Sequence, residues 1–159
     1  MKKLIPLLVI YLLLNLNVQP IAAQKLSDEL IGTLKNEVDS FFYEMIDYAE
    51  KLDYDKLSSA VDDRYHAGFI SNKKYYSSYS DLFNELKPNL VGVSKQVITI
   101  KEKKTTVLSD YIALMTVAGV ANVILNDDRT FSNNFHWSFL YEKIDGNWKV
   151  IHSHQSLVN

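Results

Sequence analysis

From Leu30 onward, apolar side chains return every three or four residues: Leu30, Ile31, Leu34, Val38, Phe41, Phe42, Met45, Ile46 and Ala49. That spacing is the α-helical period, and it predicts a helix over about residues 28–51 with one apolar face. Ser27 is placed to cap it, with Asp28 and Glu29 against the positive end of its dipole. At 1.5 Å per residue the helix is about 36 Å long. A short second helix starts at Asp53 or Asp55 and runs through Leu57, Ala60 and Val61. Residues 65–70 read as a brief strand, and Tyr76, Tyr79, Leu82, Phe83 and Leu86 outline a third helix that Pro88 stops.

Beyond Pro88 the period becomes two. Val97-Ile98-Thr99-Ile100 and the residues from Thr105 to Leu108 make one strand, kinked at the lysines between them. Residues 111–125 are β-branched and almost uncharged, as a central strand is. Residues 130–143 alternate, with Phe131, Asn133, Phe135, Trp137, Phe139 and Tyr141 on one parity. Asp145-Gly146 is a hairpin signal, and residues 148–156 form the closing strand. Helices followed by an antiparallel meander predict an α+β domain. Counting outward from a two-residue turn pairs Ile144 with Asn147, Tyr141 with Val150, Phe139 with His152 and Trp137 with His154. This register puts His152 and His154 on the aromatic face; a bulge near Ser153 would turn Gln155 around.

The chain has 159 residues, 47% of them hydrophobic and 23% charged, which suits one domain with a substantial core. Lys2 and Lys3 precede an apolar run over residues 4–14, and Pro20-Ile21-Ala22-Ala23 follows: the layout of a secretory signal peptide. The run falls short of the roughly 20 residues that span a bilayer. Residues 1–23 are therefore expected to be cleaved, leaving a domain over 24–159, periplasmic or extracellular, with no membrane attachment. Cleavage removes two lysines, so 15 basic residues face 19 acidic ones in the mature chain, a net charge of −4. With Arg64 and Arg129 the only arginines, a nucleic-acid partner is not expected. With no cysteine, no disulfide can form and stability must come from the core.

The last hairpin carries Asp145, Gly146, Trp148, His152, His154 and Ser156 in an Asp-Gly-x-Trp…His-x-His-x-Ser pattern. In this it resembles the nuclear transport factor 2-like superfamily. The likeness is greatest to SnoaL-like proteins and the association domain of calcium/calmodulin-dependent protein kinase II. The order of elements agrees over residues 26–157, and Leu52-Asp53-Tyr54-Asp55 stands where the family has a Gly-Asp-x-x turn, without the glycine. The resemblance implies a cystatin-like or nuclear transport factor 2-like cone, in which a curved antiparallel sheet wraps around a long N-terminal helix and two shorter ones. It also implies a pocket at the open end and frequent homodimers through the outer sheet face. Members include isomerases, cyclases, dehydratases and epoxide hydrolases beside non-catalytic modules, so fold alone does not fix function. The places of the ketosteroid isomerase proton-transfer groups hold Met45, Phe69 and Phe139 or Leu140, none of which moves a proton. Neither arginine has a clear place in an Asp-Arg-Asp relay. Phe139 and Gln155 stand at two places where the kinase association domain carries pocket arginines.

His152 and His154, two residues apart on a strand, point the same way. A metal needs a third ligand, and His136 has the opposite parity, so no metal or cofactor is expected. His152 is the candidate acid–base residue, against a structural role for both rings, His154 bonded under the sheet and His152 at the cavity wall. Asp62-Asp63 and Asp127-Asp128 read as solvated turns. Ser132, Ser138 and Ser153 lack the strand-turn-helix setting of an activated nucleophile. The expectation is a secreted, homodimeric, non-catalytic domain holding a small flat or apolar molecule between Tyr43, Tyr65, Trp137, Phe139, His152 and His154. The alternatives are an isomerase, dehydratase or cyclase using His152, and a protein-interaction module built on the apolar strand over residues 111–125.

Overall fold

Helix α1 (Asp28–Glu50) forms where the 3.6 period places it, with the Ser27 hydroxyl accepting the Leu30 N–H and Leu34, Val38, Phe42 and Met45 turned inward. These details come from a computed structural model, which describes residues 25–158. The segment read as a signal peptide lies outside the described residues. Among those described, no helix is long and apolar enough to cross a membrane. Leu52, just past α1, adopts φ 59°. That is the left-handed conformation in which helices end, and it explains why glycine suits this turn.

Helix α2 (Tyr54–Ser59) is capped by Asp53 and α3 (Tyr79–Leu86) by Ser78, and α3 runs into a 3₁₀ turn (Lys87–Leu90) at Pro88. The strand expected over residues 65–70 is shorter and later. The chain loops as far as Gly68, then forms a hairpin of β1 (Phe69–Ser71) and β2 (Lys74–Tyr76). Its two turn residues, Asn72 and Lys73, both have positive φ, the requirement of a tight two-residue hairpin, met here without glycine.

Four long strands follow: β3 (Val93–Val107), β4 (Ile112–Leu125), β5 (Thr130–Ile144) and β6 (Asn147–Val158). The six-stranded sheet has the order β2-β1-β6-β5-β4-β3. Its β3–β6 portion is the expected antiparallel meander, but β1 pairs with β6 in parallel, so the curved sheet is mixed rather than wholly antiparallel. The lysine kink in β3 is a bulge at Lys101, because Ile100 pairs with Gly119 and Glu102 with Ala118. It turns Lys103 and Thr105 inward, where Lys103 Nζ lies 2.7 Å from Asp39 Oδ2 and the Thr105 hydroxyl donates to Asp39 Oδ1.

The core lies between α1 and the concave face of the sheet, with Val38, Phe42, Phe69, Met115, Phe135 and Tyr141 essentially inaccessible. Gly119 permits this packing. A Cβ there would stand 2.6 Å from the Phe135 ring and 2.2 Å from the Thr99 carbonyl oxygen. Phe135 in turn stacks on Trp137, with centroids 3.7 Å apart and planes 15° from parallel.

The closing hairpin departs from the expected register halfway along. Asp145 and Gly146 make the tight turn, with φ 50° and 80°. Ile144 pairs with Asn147 and Tyr141 with Val150, as counted from the turn. Then Leu140 pairs with His152, Phe139 with Ser153, Ser138 with His154 and Trp137 with Gln155, leaving Ile151 as an extra residue. This bulge falls where β6 changes neighbours. Val150 exchanges backbone hydrogen bonds with Ala60 and Asp62 after α2, whereas from Ser153 onward β6 pairs with β1. An inserted residue bends the strand to meet both partners and reverses the facing of everything beyond it. His152 and His154 therefore point to the outer face, and Ser153 and Gln155 point inward.

Candidate functional site

A partly open cavity lies where α1, α2, α3 and the sheet converge. Phe42, Met45, Ile46 and Ala49 come from α1, Leu57 from α2, Val61 from the following turn and Tyr79 from α3. The sheet contributes Phe69, Ile98, Trp137, Phe139, Val150, Ser153 and Gln155. The local reasons are those that built the fold: the helical period aligns the α1 residues, and the Ile151 bulge brings in Ser153 and Gln155. The cavity has a volume of about 110 Å³. That is below the roughly 150 Å³ of an apolar cavity known to admit benzene, so one small ring is the upper limit and a drug-sized ligand is excluded.

Its lining contains no carboxylate, imidazole, lysine or arginine. Tyr79 is the one titratable group there, and burial pushes its hydroxyl above the usual tyrosine range, keeping it neutral. Polarity comes from the Ser153–Gln155 pair, in which Gln155 Nε2 donates to Ser153 Oγ at 3.2 Å. Such a surface can hold and orient a neutral molecule; it has no group suited to transferring a proton near neutral pH.

The structure brings together two of the six residues anticipated at a pocket, Trp137 and Phe139. Tyr43 lies on another face of α1, half exposed, with Lys103 Nζ 4.6 Å from its ring centre. Tyr65 is exposed on the loop before β1, and its hydroxyl donates to Glu142 at 2.9 Å. His152 Nδ1 lies 2.7 Å from the Gly68 carbonyl oxygen. His154 is exposed, with Nε2 3.1 Å from the Ser156 hydroxyl. Neither imidazole lines the cavity, although the His152 ring stacks on Phe69, which does, with centroids 6.3 Å apart.

The period-two count put Ser153 and Gln155 outside; the bulge named near Ser153 as what would turn Gln155 around is present, two residues earlier, and turns both inward. The signal available was indirect: Ile151 is apolar on the parity assigned to the polar face, a mismatch that a bulge resolves. Met45, Phe69 and Phe139, which stand at the places of the ketosteroid isomerase proton-transfer groups, all line the cavity, and Tyr79, in a tyrosine-rich run that reads equally as half-buried or as a pocket rim, joins them.

A second, wider depression runs between α1 and the tip of the closing hairpin, with about 750 Å³ open to solvent. On its wall Glu37 accepts from Lys143 Nζ at 2.7 Å and Trp148 Nε1 at 3.0 Å. These bonds hold the Glu37 carboxyl below the usual glutamate range.

The fold recurs in solved structures of low sequence identity. A nuclear transport factor 2 (NTF2-like) superfamily protein from Salmonella enterica serovar Typhimurium superposes with a TM-score of 0.68 at 17% identity, covering 80% of this chain and 93% of that one. The association domain of C. elegans CaMKII gives 0.66 at 11% identity, with coverage of 81% and 99%. An NTF2-like protein of unknown function from Shewanella oneidensis gives 0.56 at 23% identity, with coverage of 76% and 97%. No curated protein matches the chain. The SnoaL-like domain model matches residues 38–159, from the middle of α1 through every strand and both cavity-lining members of the bulged segment. On that match, the chain belongs to the SnoaL-like domain family.

Proposed function

We propose that this protein is an exported, non-catalytic binding domain that holds a small apolar or aromatic molecule in the cavity between its helices and sheet. One observation carries the reading: the cavity is ring-sized, lined by aromatic and aliphatic side chains, and free of charged groups. Small-molecule sites have this make-up, a mostly apolar wall with a few placed polar groups. An enzyme of the isomerase, dehydratase or cyclase type would need a proton-transfer group at that wall. His152, the candidate for the part, bonds to Gly68 on the convex side of the sheet instead. Export rests on the basic, apolar and small-residue layout of residues 1–23.

Self-association through the convex sheet face is the accompanying proposal. Similarity to an association domain supports it. So does a depression of about 620 Å³ across that face, lined by Thr116, Ala118, His136, Ser138 and His154 among others.

Native mass spectrometry tests both parts on the protein purified from its own host. A reproducible small adduct that is lost on unfolding, and is absent from a cavity-filling Ala49→Leu variant, is the expected result. Turnover of the identified compound, abolished by His152→Ala in a folded protein, would overturn the non-catalytic reading. The same spectra report the oligomeric state.

A further inference from the structure

The cavity's few polar atoms are not spent on one another. Gln155 Nε2 donates one hydrogen to Ser153 Oγ. Among the described residues, the second Nε2 hydrogen, the Gln155 Oε1 acceptor and the Ser153 hydroxyl hydrogen have no protein partner. Ser153 is 2% exposed, so its hydroxyl has little recourse to bulk water. A carboxamide always presents one donor edge and one acceptor edge, whichever way its ends are assigned. The pair therefore offers a donor and an acceptor side by side on an otherwise apolar wall, with Trp137 directly across the strand from Gln155.

From this, and resting on the binding reading above, we infer that the cavity selects neutral ring compounds bearing one hydrogen-bonding group, of the phenol or carboxamide class. Gln155, supported by Ser153, is the residue that recognises that group. The volume, about 110 Å³, sets a single small ring as the largest body the cavity can take. The apolar wall favours burial of the ring, and Trp137 and Phe139 supply aromatic faces against it. A charged ligand is rejected because the lining holds no counter-charge, and a buried unpaired ion is far costlier than a buried hydroxyl. A purely apolar ring is accepted less well, because it leaves the Ser153 and Gln155 groups unpartnered. The same logic explains why sites built to hydrogen-bond a ligand group discriminate strongly against analogues that lack it.

The test is a set of dissociation constants by ligand-detected NMR at pH 7 for benzene, phenol, benzamide, benzoate and benzylamine, on the mature protein. Phenol and benzamide are expected to bind about tenfold more tightly than benzene, a difference of one hydrogen bond. Benzoate and benzylamine should bind at least about tenfold more weakly than phenol. Gln155→Leu should abolish the preference for phenol over benzene, weakening phenol and not weakening benzene, and Ser153→Ala, a smaller perturbation of the fold, should reduce the preference by a lesser factor. Gln155→Glu should admit benzylamine and exclude benzamide. Benzoate binding as well as phenol, or a phenol-to-benzene ratio that survives Gln155→Leu, overturns the inference and leaves the binding reading standing. No binding by any of the five, benzene included, overturns both.

Discussion

Leu140 and His152 face each other across the β5–β6 pair on the convex side of the sheet. A straight count from the hairpin turn sets His152 against Phe139 on the concave side, and the single inserted residue, Ile151, separates the two outcomes. His152 thereby becomes a tether for the loop before β1: its Nδ1 contacts the carbonyl of Gly68, a residue at φ 76° whose Cα is covered by the Tyr75 ring. Replacing it should loosen that loop by the worth of one hydrogen bond, about 1 kcal/mol. Denaturant unfolding of His152→Ala should register this loss, while phenol affinity stays within twofold of the parent protein.

Gly119 has no room for a side chain. In Gly119→Ala the new methyl would collide with the Thr99 carbonyl, which cannot move without breaking the β3–β4 ladder, and with the Phe135 ring. Overpacking of this kind costs about 1–3 kcal/mol or more. Calorimetry should find a large drop in Tm or no cooperative transition at all.

Leu52→Gly should have the opposite effect. A non-glycine residue in the left-handed region costs roughly 1–2 kcal/mol, and Leu52 sits there at φ 59°. Relief of that strain, less the partial burial of the leucine side chain, predicts a gain of about 1 kcal/mol in urea unfolding. A loss would mean that leucine packing outweighs the backbone term.

Tyr141 is fully buried between Phe41 and Phe139, and its hydroxyl has no hydrogen-bond partner among the described residues. Burial, with the nearby Asp39 carboxylate, pushes its ionisation far above the ordinary tyrosine range. Removing an unsatisfied buried hydroxyl relieves a desolvation penalty, so Tyr141→Phe should be neutral or stabilising by about 1 kcal/mol. The near-ultraviolet circular dichroism of the core should be otherwise preserved.

Glu37 makes stability depend on acid pH. Its folded-state pKa is depressed, first by the hydrogen bond from Lys143 and next by that from Trp148. The unfolded chain titrates near pH 4.3, so the contribution is fully present above that value and is lost as the pH falls through the lower, folded one. Glu37→Gln should lower stability at pH 7, where the carboxylate's contribution is fully present, and flatten the slope of stability against pH in the window just below pH 4.3. Urea midpoints measured across that window decide it.

Much of this architecture was legible because it rests on local periodicity. The α1 face, the cap at Ser27, a second helix starting at Asp53 or Asp55, the stop at Pro88, the lysine kink in β3 and the first half of the closing register all follow from spacing and side-chain chemistry. What escaped depends on contacts between distant segments. The parallel pairing of β1 with β6 and the Asn72-Lys73 hairpin have no strong local signature. The Ile151 bulge is dictated by two different neighbours of one strand, Ala60 to Asp62 and then Phe69 to Ser71. The cavity inherits that division: Trp137 and Phe139 were readable from alternation, whereas Ser153 and Gln155 became lining residues only through the bulge.

The strand order has a consequence for how copies of this domain can meet. A sheet invites pairing at its free edges, where backbone groups stand unmatched. Here one outer strand, β2, is only three residues long. The other, β3, is interrupted at Lys101, carries Lys95, Lys101 and Lys104 along its exposed length, and has the Ile98 N–H already engaged by Glu50 at 2.6 Å. Both edges are closed to strand addition, so a growing ribbon of sheet is disfavoured in crowded or partly unfolded conditions. Any contact between copies is left to the broad faces of the sheet rather than to its edges.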